Sequence, residues 1–349
     1  MLKQLLSNRR VPALLSRTEM LEIMQREVYG YLPKKPDALE WTVQENFIPN
    51  LCAGKVTSQR VELTAKLGEQ SFTFPFVAVI PKTSGPHPFF IHINFHSNVT
   101  DRYMPTEEIT DNGFAVLSFC YKDVTSDDGD FENGLAGVLY KDGKRDPHDA
   151  GKIAMWAWAA QRVLDYAERE PRLDKSCVTV CGHSRLGKTA LLCGATDERF
   201  TFVYSNNSGC SGAAITRDKL GETVEIITRA FPFWFCEAYR QYADREYEMP
   251  FDQHYMVASV APRYAYVAGA LEDTWADPYS EMLSCVAASP AYEALGLTGF
   301  VCEDRLPVAG DRWHEGTIGY HLRAGEHYFS REDWNAVMNF IRSKRSSRA

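Results

Sequence analysis

Residues 176–195 read SCVTVCGHSRLGKTALLCGA: a short apolar strand passes into a helix with one serine at the junction. A buried strand followed at once by a helix, then by the further strand TFVYSNNSG (201–209), is the signature of a layered α/β fold. The junction also has a chemical reading. A serine on a sharp strand-to-helix turn is held above the sheet with its hydroxyl exposed, which is the geometry of a nucleophile elbow. Small residues are needed there because backbone must approach backbone. Gly182 lies two places before Ser184, but the second glycine, Gly187, lies three places after it, so the pattern is G-x-S-x-x-G rather than the commoner G-x-S-x-G. The alternative reading is a serine that merely caps the following helix.

The rest of the chain supports the same architecture. Residues 1–45 read as an N-terminal helical extension interrupted by Pro33 and Pro36. Three apolar, β-branched runs follow at 56–67, 71–80 and 88–95, separated by turn-forming residues, and 114–119 is a further buried strand. Helical periodicity occupies 152–168. After the elbow come an irregular, aromatic-rich excursion over 212–255, a strand at 263–270, a helix at 280–296, a strand at 316–324 and a closing helix at 331–343. The expectation is a single domain over 1–349: a mostly parallel central sheet flanked by helices, with the excursion placed over the sheet's C-terminal edge, where doubly wound folds keep their ligands.

Composition narrows the function. A net charge of −8 disfavours binding to polyanions, since neutralising phosphates needs clustered Lys and Arg, so nucleic acid and acidic membranes are poor partners. No stretch approaches the roughly 18 uninterrupted apolar residues of a membrane span. Charges break up the first 24 residues, which lack the apolar core of a secretory signal, and nine cysteines without CxxC spacing suggest free thiols; both point to a cytoplasmic protein. The histidines lack metal-ligand spacing, and no metal or organic cofactor is expected.

A serine triad needs an acid after a later strand and a histidine after the last one. Strand 263–270 ends in Leu271-Glu272-Asp273-Thr274-Trp275-Ala276-Asp277-Pro278, and the last strand runs into Gly325-Glu326-His327-Tyr328. Three candidates thus fall at three strand ends. Asp277, ahead of Pro278 and a helix, reads as a helix cap. His321, inside the last strand, reads as a core histidine. The Arg185 amide, at the start of the elbow helix, faces a developing oxyanion, and the loop Phe95-His96-Ser97-Asn98 is expected to supply a second amide.

The runs GHSRLGKTAL, SNNSGCSGAA, GETVEIITRAFPFWF, PFDQHYMVASVAPRYAYVAGALEDTWADP and GYHLRAGEH resemble bacterial relatives of the glucuronoyl esterases, carbohydrate esterase family 15, within the α/β-hydrolase superfamily. The S-R-x-G-K block is the specific part of the likeness. The resemblance implies Ser184 as nucleophile, His327 as base, Arg185 as an oxyanion stabiliser through its guanidinium, Lys188 as a ligand for sugar hydroxyls, and Trp275 and Glu222 against the uronate. It also implies an α/β-hydrolase fold and a carbohydrate or uronate ester as substrate. The position of the fungal triad glutamate is occupied by Asn207, which carries no charge. The acid is therefore expected in the EDTWADP loop, and Asp273 is preferred over Glu272 because the bacterial relatives favour an aspartate two places before the tryptophan. Fungal members join the neighbours of the serine and histidine by a disulfide, whereas the neighbours here are His183 and Tyr328. Two other readings stand beside a glucuronate esterase: an acetyl esterase on a decorated xylan, and a non-catalytic carbohydrate-binding descendant that would keep Trp234, Trp275 and Lys188. For Trp234, core packing and substrate contact weigh evenly.

Overall fold

The structure is a computed structural model, and it describes residues 1–346. Its strands are β1 (Ala38–Glu45), β2 (Val56–Leu67), β3 (Gln70–Pro81), β4 (His87–Asn94), β5 (Ala115–Cys120), β6 (Leu173–His183), β7 (Phe202–Asn206), β8 (Tyr264–Ala270), β9 (Arg312–Trp313) and β10 (Ile318–Arg323). Side by side they form one sheet in the order β1-β2-β3-β5-β4-β6-β7-β8-β10-β9. The block β5-β4-β6-β7-β8-β10 is parallel throughout. Antiparallel strands border it, β1 to β3 on one side and β9 on the other.

Alternation along the central strands divides the core into two layers. Phe89, Ile91 and Ile93 of β4 and Leu117 and Phe119 of β5 pack with the helices Lys152–Ala167, Arg185–Thr196 and Pro278–Glu293. Phe90 and Val116 point the other way, into a cluster with Ile109, Trp334, Val337 and Phe340 from the helices Thr106–Asp111 and Arg331–Ser346. Covered on both faces, β4 and β5 read as continuous apolar runs rather than alternating ones.

One boundary differs from the sequence reading. The N-terminal segment is helical at Leu2–Asn8 and from Arg17 to Tyr29, but 38–45 is a strand and not part of a helical extension. That strand lies at the sheet edge, where Leu39 and Trp41 of the alternating run LEWTVQ pack against the core while the residues between them face outward, a period-2 signal that a helical reading of 1–45 passes over. The helical part is anchored under the excursion, where the Cys236 amide donates to the Val28 carbonyl at 3.0 Å. The excursion consists of short helical pieces at Val224–Ala230, Pro232–Trp234, Glu237–Tyr242, Glu246–Glu248 and His254–Ala258. Among the described residues, no helix is long and apolar enough to cross a membrane.

Candidate active site

Strands β6, β8 and β10 point their C-terminal ends the same way, so the residues that follow them collect at one edge. Ser184 is the single residue between β6 and the helix Arg185–Thr196, with φ 59° and ψ −127°. For a residue with a side chain this left-handed backbone costs on the order of 1–3 kcal/mol, and it persists because its surroundings over-determine it. The Ser184 amide donates to the Asn206 carbonyl at 2.9 Å, tying the turn to β7. A Cβ on Gly182 would sit 2.2 Å from the Leu186 carbonyl oxygen, and one on Gly187 would sit 2.9 Å from the Asn206 carbonyl oxygen. The second glycine is thus needed three places after the serine because that residue meets β7, while Leu186, two places after, is buried. The Ser184 hydroxyl makes no capping bond to the helix that follows, so the capping alternative does not describe it.

Asp273 and His327 meet across the same edge. His327 Nδ1 donates to Asp273 Oδ2 at 2.6 Å. The same oxygen accepts Asn207 Nδ2 at 2.8 Å, and Oδ1 accepts the Ala276 amide at 3.2 Å. Burial acts to raise the Asp273 pKa, but the bonds and charge from His327, with those from Asn207 and the Ala276 amide, prevail and hold it below the ordinary carboxylate range. Glu272 is exposed and forms no bond to the histidine. Asp277 caps the helix Pro278–Glu293 by accepting the Ser280 amide at 3.2 Å. His321 is a core histidine, with Nε2 2.8 Å from Asp333 and Nδ1 2.9 Å from the Tyr266 hydroxyl.

Ser184 and His327 line one cavity of about 240 Å³, together with Arg185, Lys188, Asn207, Glu222, Phe231, Trp234 and Trp275. Ser184, Arg185, Lys188, Glu222, Trp234, Trp275 and His327 therefore face one space, and buried Asp273 lies behind His327. Lys188 is buried; its Nζ donates to the Ser208 carbonyl at 2.5 Å and lies 3.7 Å from Glu222 Oε2. Trp275 stands 53 % exposed at the rim. Trp234 answers to both of its readings, since it is buried, stacks on Phe231 at 4.0 Å and still lines the cavity. The loop Phe95–Asn98 does not. None of its residues lines the cavity, and the Phe95 amide is bonded to Asn94 Oδ1 at 2.8 Å. What Phe95 brings is its ring, 5.6 Å from the Arg185 guanidinium.

Two groups escaped the sequence reading. Asp127, in a polar loop far away in the chain, accepts hydrogen bonds from Arg185 and Trp234; nothing in its local sequence distinguishes it from neighbouring Asp128 and Asp130. His183 packs its ring 4.4 Å from that of His327. Burial above all, then the neighbouring imidazole, lowers the His183 pKa to about 3, so this ring is neutral, and its Nδ1 is bonded to Asn206 Oδ1 at 2.7 Å. Tyr103 packs at a tilt against both His183 and Tyr328, with ring centres 5.4 and 5.1 Å apart, so an aromatic cluster joins the neighbours of Ser184 and His327. Cys181, Cys193, Cys210 and Cys285 are buried free thiols. Among the described residues no group of His, Cys, Asp and Glu is arranged to hold a metal ion.

Comparison with known proteins places the chain among relatives of one kind. Residues 63–296 match the family model Glucuronyl esterase, fungi. Carbohydrate esterase MZ0003, from an unknown prokaryotic organism, is 32 % identical, over 93 % of this chain and 83 % of its own. The 4-O-methyl-glucuronoyl methylesterase of Hypocrea jecorina is 30 % identical over 81 % of this chain, which spans only 58 % of that longer protein. The solved structure of a glucuronoyl esterase from Solibacter usitatus superposes with a TM-score of 0.84 at 32 % identity, covering 93 % of this chain and 91 % of that one. A mostly parallel sheet, an elbow serine at its C-terminal edge and matches over most of the length lead to one assignment: the chain belongs to the glucuronoyl esterase family of carbohydrate esterases.

Proposed function

We propose that the protein hydrolyses an ester of glucuronic acid through an acyl-enzyme on Ser184, with His327 as base and Asp273 as the triad acid. The observation that carries the reading is the 2.6 Å contact between His327 Nδ1 and Asp273 Oδ2 beside a strained serine on the wall of the same cavity. With its Nδ1–H held by a carboxylate, the imidazole presents Nε2 as the acceptor for the serine proton. Ser184 Oγ attacks the ester carbonyl and its proton passes to Nε2. The tetrahedral oxyanion is met by the Arg185 amide, which as the first residue of its helix has no intrahelical acceptor, and by the Arg185 guanidinium. Collapse expels the alcohol, which takes the proton from Nε2; water then repeats the cycle on the acyl-enzyme. Asp273, held anionic, stabilises the imidazolium at each proton transfer.

The Lys188–Glu222 pair suits the uronate half, since a sugar hydroxyl donates to the carboxylate while accepting from the ammonium. Trp275 offers an exposed ring face to the pyranose. Buried free thiols such as Cys181, Cys193 and Cys285 fit a reducing compartment and a cytoplasmic site of action on short oligosaccharides. The test compares benzyl glucuronate, acetylated xylo-oligosaccharides and p-nitrophenyl acetate, each with wild type and with Ser184→Ala. Glucuronate hydrolysis in the first protein and its loss by several orders of magnitude in the second are expected. A preference for the acetylated oligosaccharides would replace the glucuronate by an acetyl ester, and a folded, active Ser184→Ala would end the serine mechanism.

A further inference from the structure

Arg185 occupies an unusual setting for a side chain meant to meet a transient charge. Its Nη1 donates to Asp127 Oδ2, and its guanidinium lies 4.6 Å from the centre of the Trp234 ring, with Phe95 and Phe231 at 5.6 and 5.7 Å. Its Nε is buried without a hydrogen-bond partner, and Nη2 has none either among the described residues, although the side chain lines the cavity. The guanidinium is therefore held by one corner and by its faces, with donors left over. Asp127 itself is 9 % exposed and takes three donors from three separate segments. These are Arg185 Nη1 from the elbow helix, the Tyr121 hydroxyl at 2.7 Å from the turn after β5, and Trp234 Nε1 at 2.7 Å from the excursion. Burial and then the adjacent carboxylate push the Tyr121 phenol up, so it remains a donor. Only an acceptor-only group satisfies this arrangement: Arg and Trp can do nothing but donate.

We infer that Asp127 is a positioning residue of the reaction, fixing the Arg185 guanidinium against Trp234 so that its remaining donors stand where the oxyanion forms. This rests on the reading of Arg185 as an oxyanion donor, and the site gives it weight. Residues 95–98 are not among those lining the cavity and the Phe95 amide is already bonded to Asn94 Oδ1, whereas the Arg185 side chain lines it with donors to spare. In Asp127→Asn an NH₂ replaces one oxygen. Depending on which oxygen is replaced, the NH₂ faces either Arg185 Nη1–H, which loses its acceptor, or Trp234 Nε1–H, which loosens the ring the guanidinium lies on, and in both cases the guanidinium loses its charged partner.

The experiment measures kcat and KM on benzyl glucuronate and p-nitrophenyl acetate for wild type, Asp127→Asn, Arg185→Ala and the double variant. Asp127→Asn is expected to lower kcat on both esters by roughly 10–100-fold while changing KM by less than about threefold. In the Arg185→Ala background the same change is expected to cost less than about threefold more, because a residue acting through Arg185 has nothing left to position. A purely structural role moves both backgrounds alike, so multiplicative losses would overturn the proposal while leaving the esterase reading intact. Wild-type kcat in a folded Asp127→Asn would overturn it as well. Arg185→Ala at the wild-type rate would remove the donor role of Arg185 and this proposal with it. Should Asp127→Asn fail to fold, Asp127→Glu, which keeps the acceptors but shifts them by a methylene, is read by the same cycle.

Discussion

Replacing Asp273 by asparagine removes a charge without removing volume, and the surrounding bonds decide what the histidine does next. Oδ2 accepts two donors, His327 Nδ1 and Asn207 Nδ2, while Oδ1 accepts the Ala276 amide. The asparagine has two orientations. With its oxygen toward His327, its NH₂ opposes the Ala276 N–H, leaving a buried donor unmatched at about 1–3 kcal/mol. With its NH₂ toward His327, the Ala276 amide keeps its acceptor, and Asn207, whose Oδ1 has no partner in the wild type, can turn that oxygen to receive the NH₂. The second arrangement leaves the Asn207 NH₂ where its oxygen had no partner, and it requires His327 to carry its proton on Nε2, where it can no longer accept one from Ser184. The wrong tautomer and the missing anion act together. Asp273→Asn is expected to lower kcat by about 10³–10⁴-fold, or roughly 4–5.5 kcal/mol, with KM nearly unchanged. Steady-state hydrolysis of p-nitrophenyl acetate and benzyl glucuronate near neutral pH reads the rate, and ¹⁵N shifts of the His327 ring read the tautomer. A folded variant within tenfold of wild-type kcat, or one that keeps the proton on Nδ1, would refute this chain of reasoning.

Lys188→Ala is expected to reduce kcat/KM on benzyl glucuronate by roughly 10–100-fold, the worth of one or two hydrogen bonds to a charged group, while p-nitrophenyl acetate loses less than about threefold. Equal losses on both would make Lys188 a structural cation for the Ser208 carbonyl and Glu222. Acid stability follows from three fully buried histidines: burial above all lowers His92 and His183 to about 3 and His254 to about 4. A folded pKa below the ordinary value of about 6.5 means that the unfolded chain binds the extra protons. Stability is therefore complete above about pH 6.5 and falls on acidification toward the folded values, by about 1.4 kcal/mol per pH unit for each histidine. Urea midpoints at pH 7, 6 and 5 should decline steeply, and a flat profile would show that these rings are not held neutral.

What could be read from the chain follows from which forces act locally. The central strands and the elbow were legible because burial on both faces writes itself into consecutive residues, and because a tight turn demands glycine where backbone meets backbone. The three strand-end residues Ser184, Asp273 and His327 were legible for a related reason: in a parallel sheet, chain order and strand polarity already dictate that such residues meet. Edge strand β1 is written in the alternation of Leu39, Trp41 and Val43 with polar residues, a short signal that the reading of 1–45 as one helical extension passes over. The loop Phe95–Asn98 was assigned a donor by analogy of position, but backbone placement in a loop depends on its hydrogen bonds, and the Phe95 amide turns to Asn94. Asp127 was hidden for the opposite reason. Its three donors lie 6, 58 and 107 positions away, and only the folded chain gathers them on one carboxylate. Residues that touch the reacting atoms sit at places the fold prescribes in advance, whereas those that hold them steady can come from any segment that passes nearby. It follows that substitutions in the loop around Asp127 should alter kcat while sparing substrate affinity, although no residue of that loop lines the cavity.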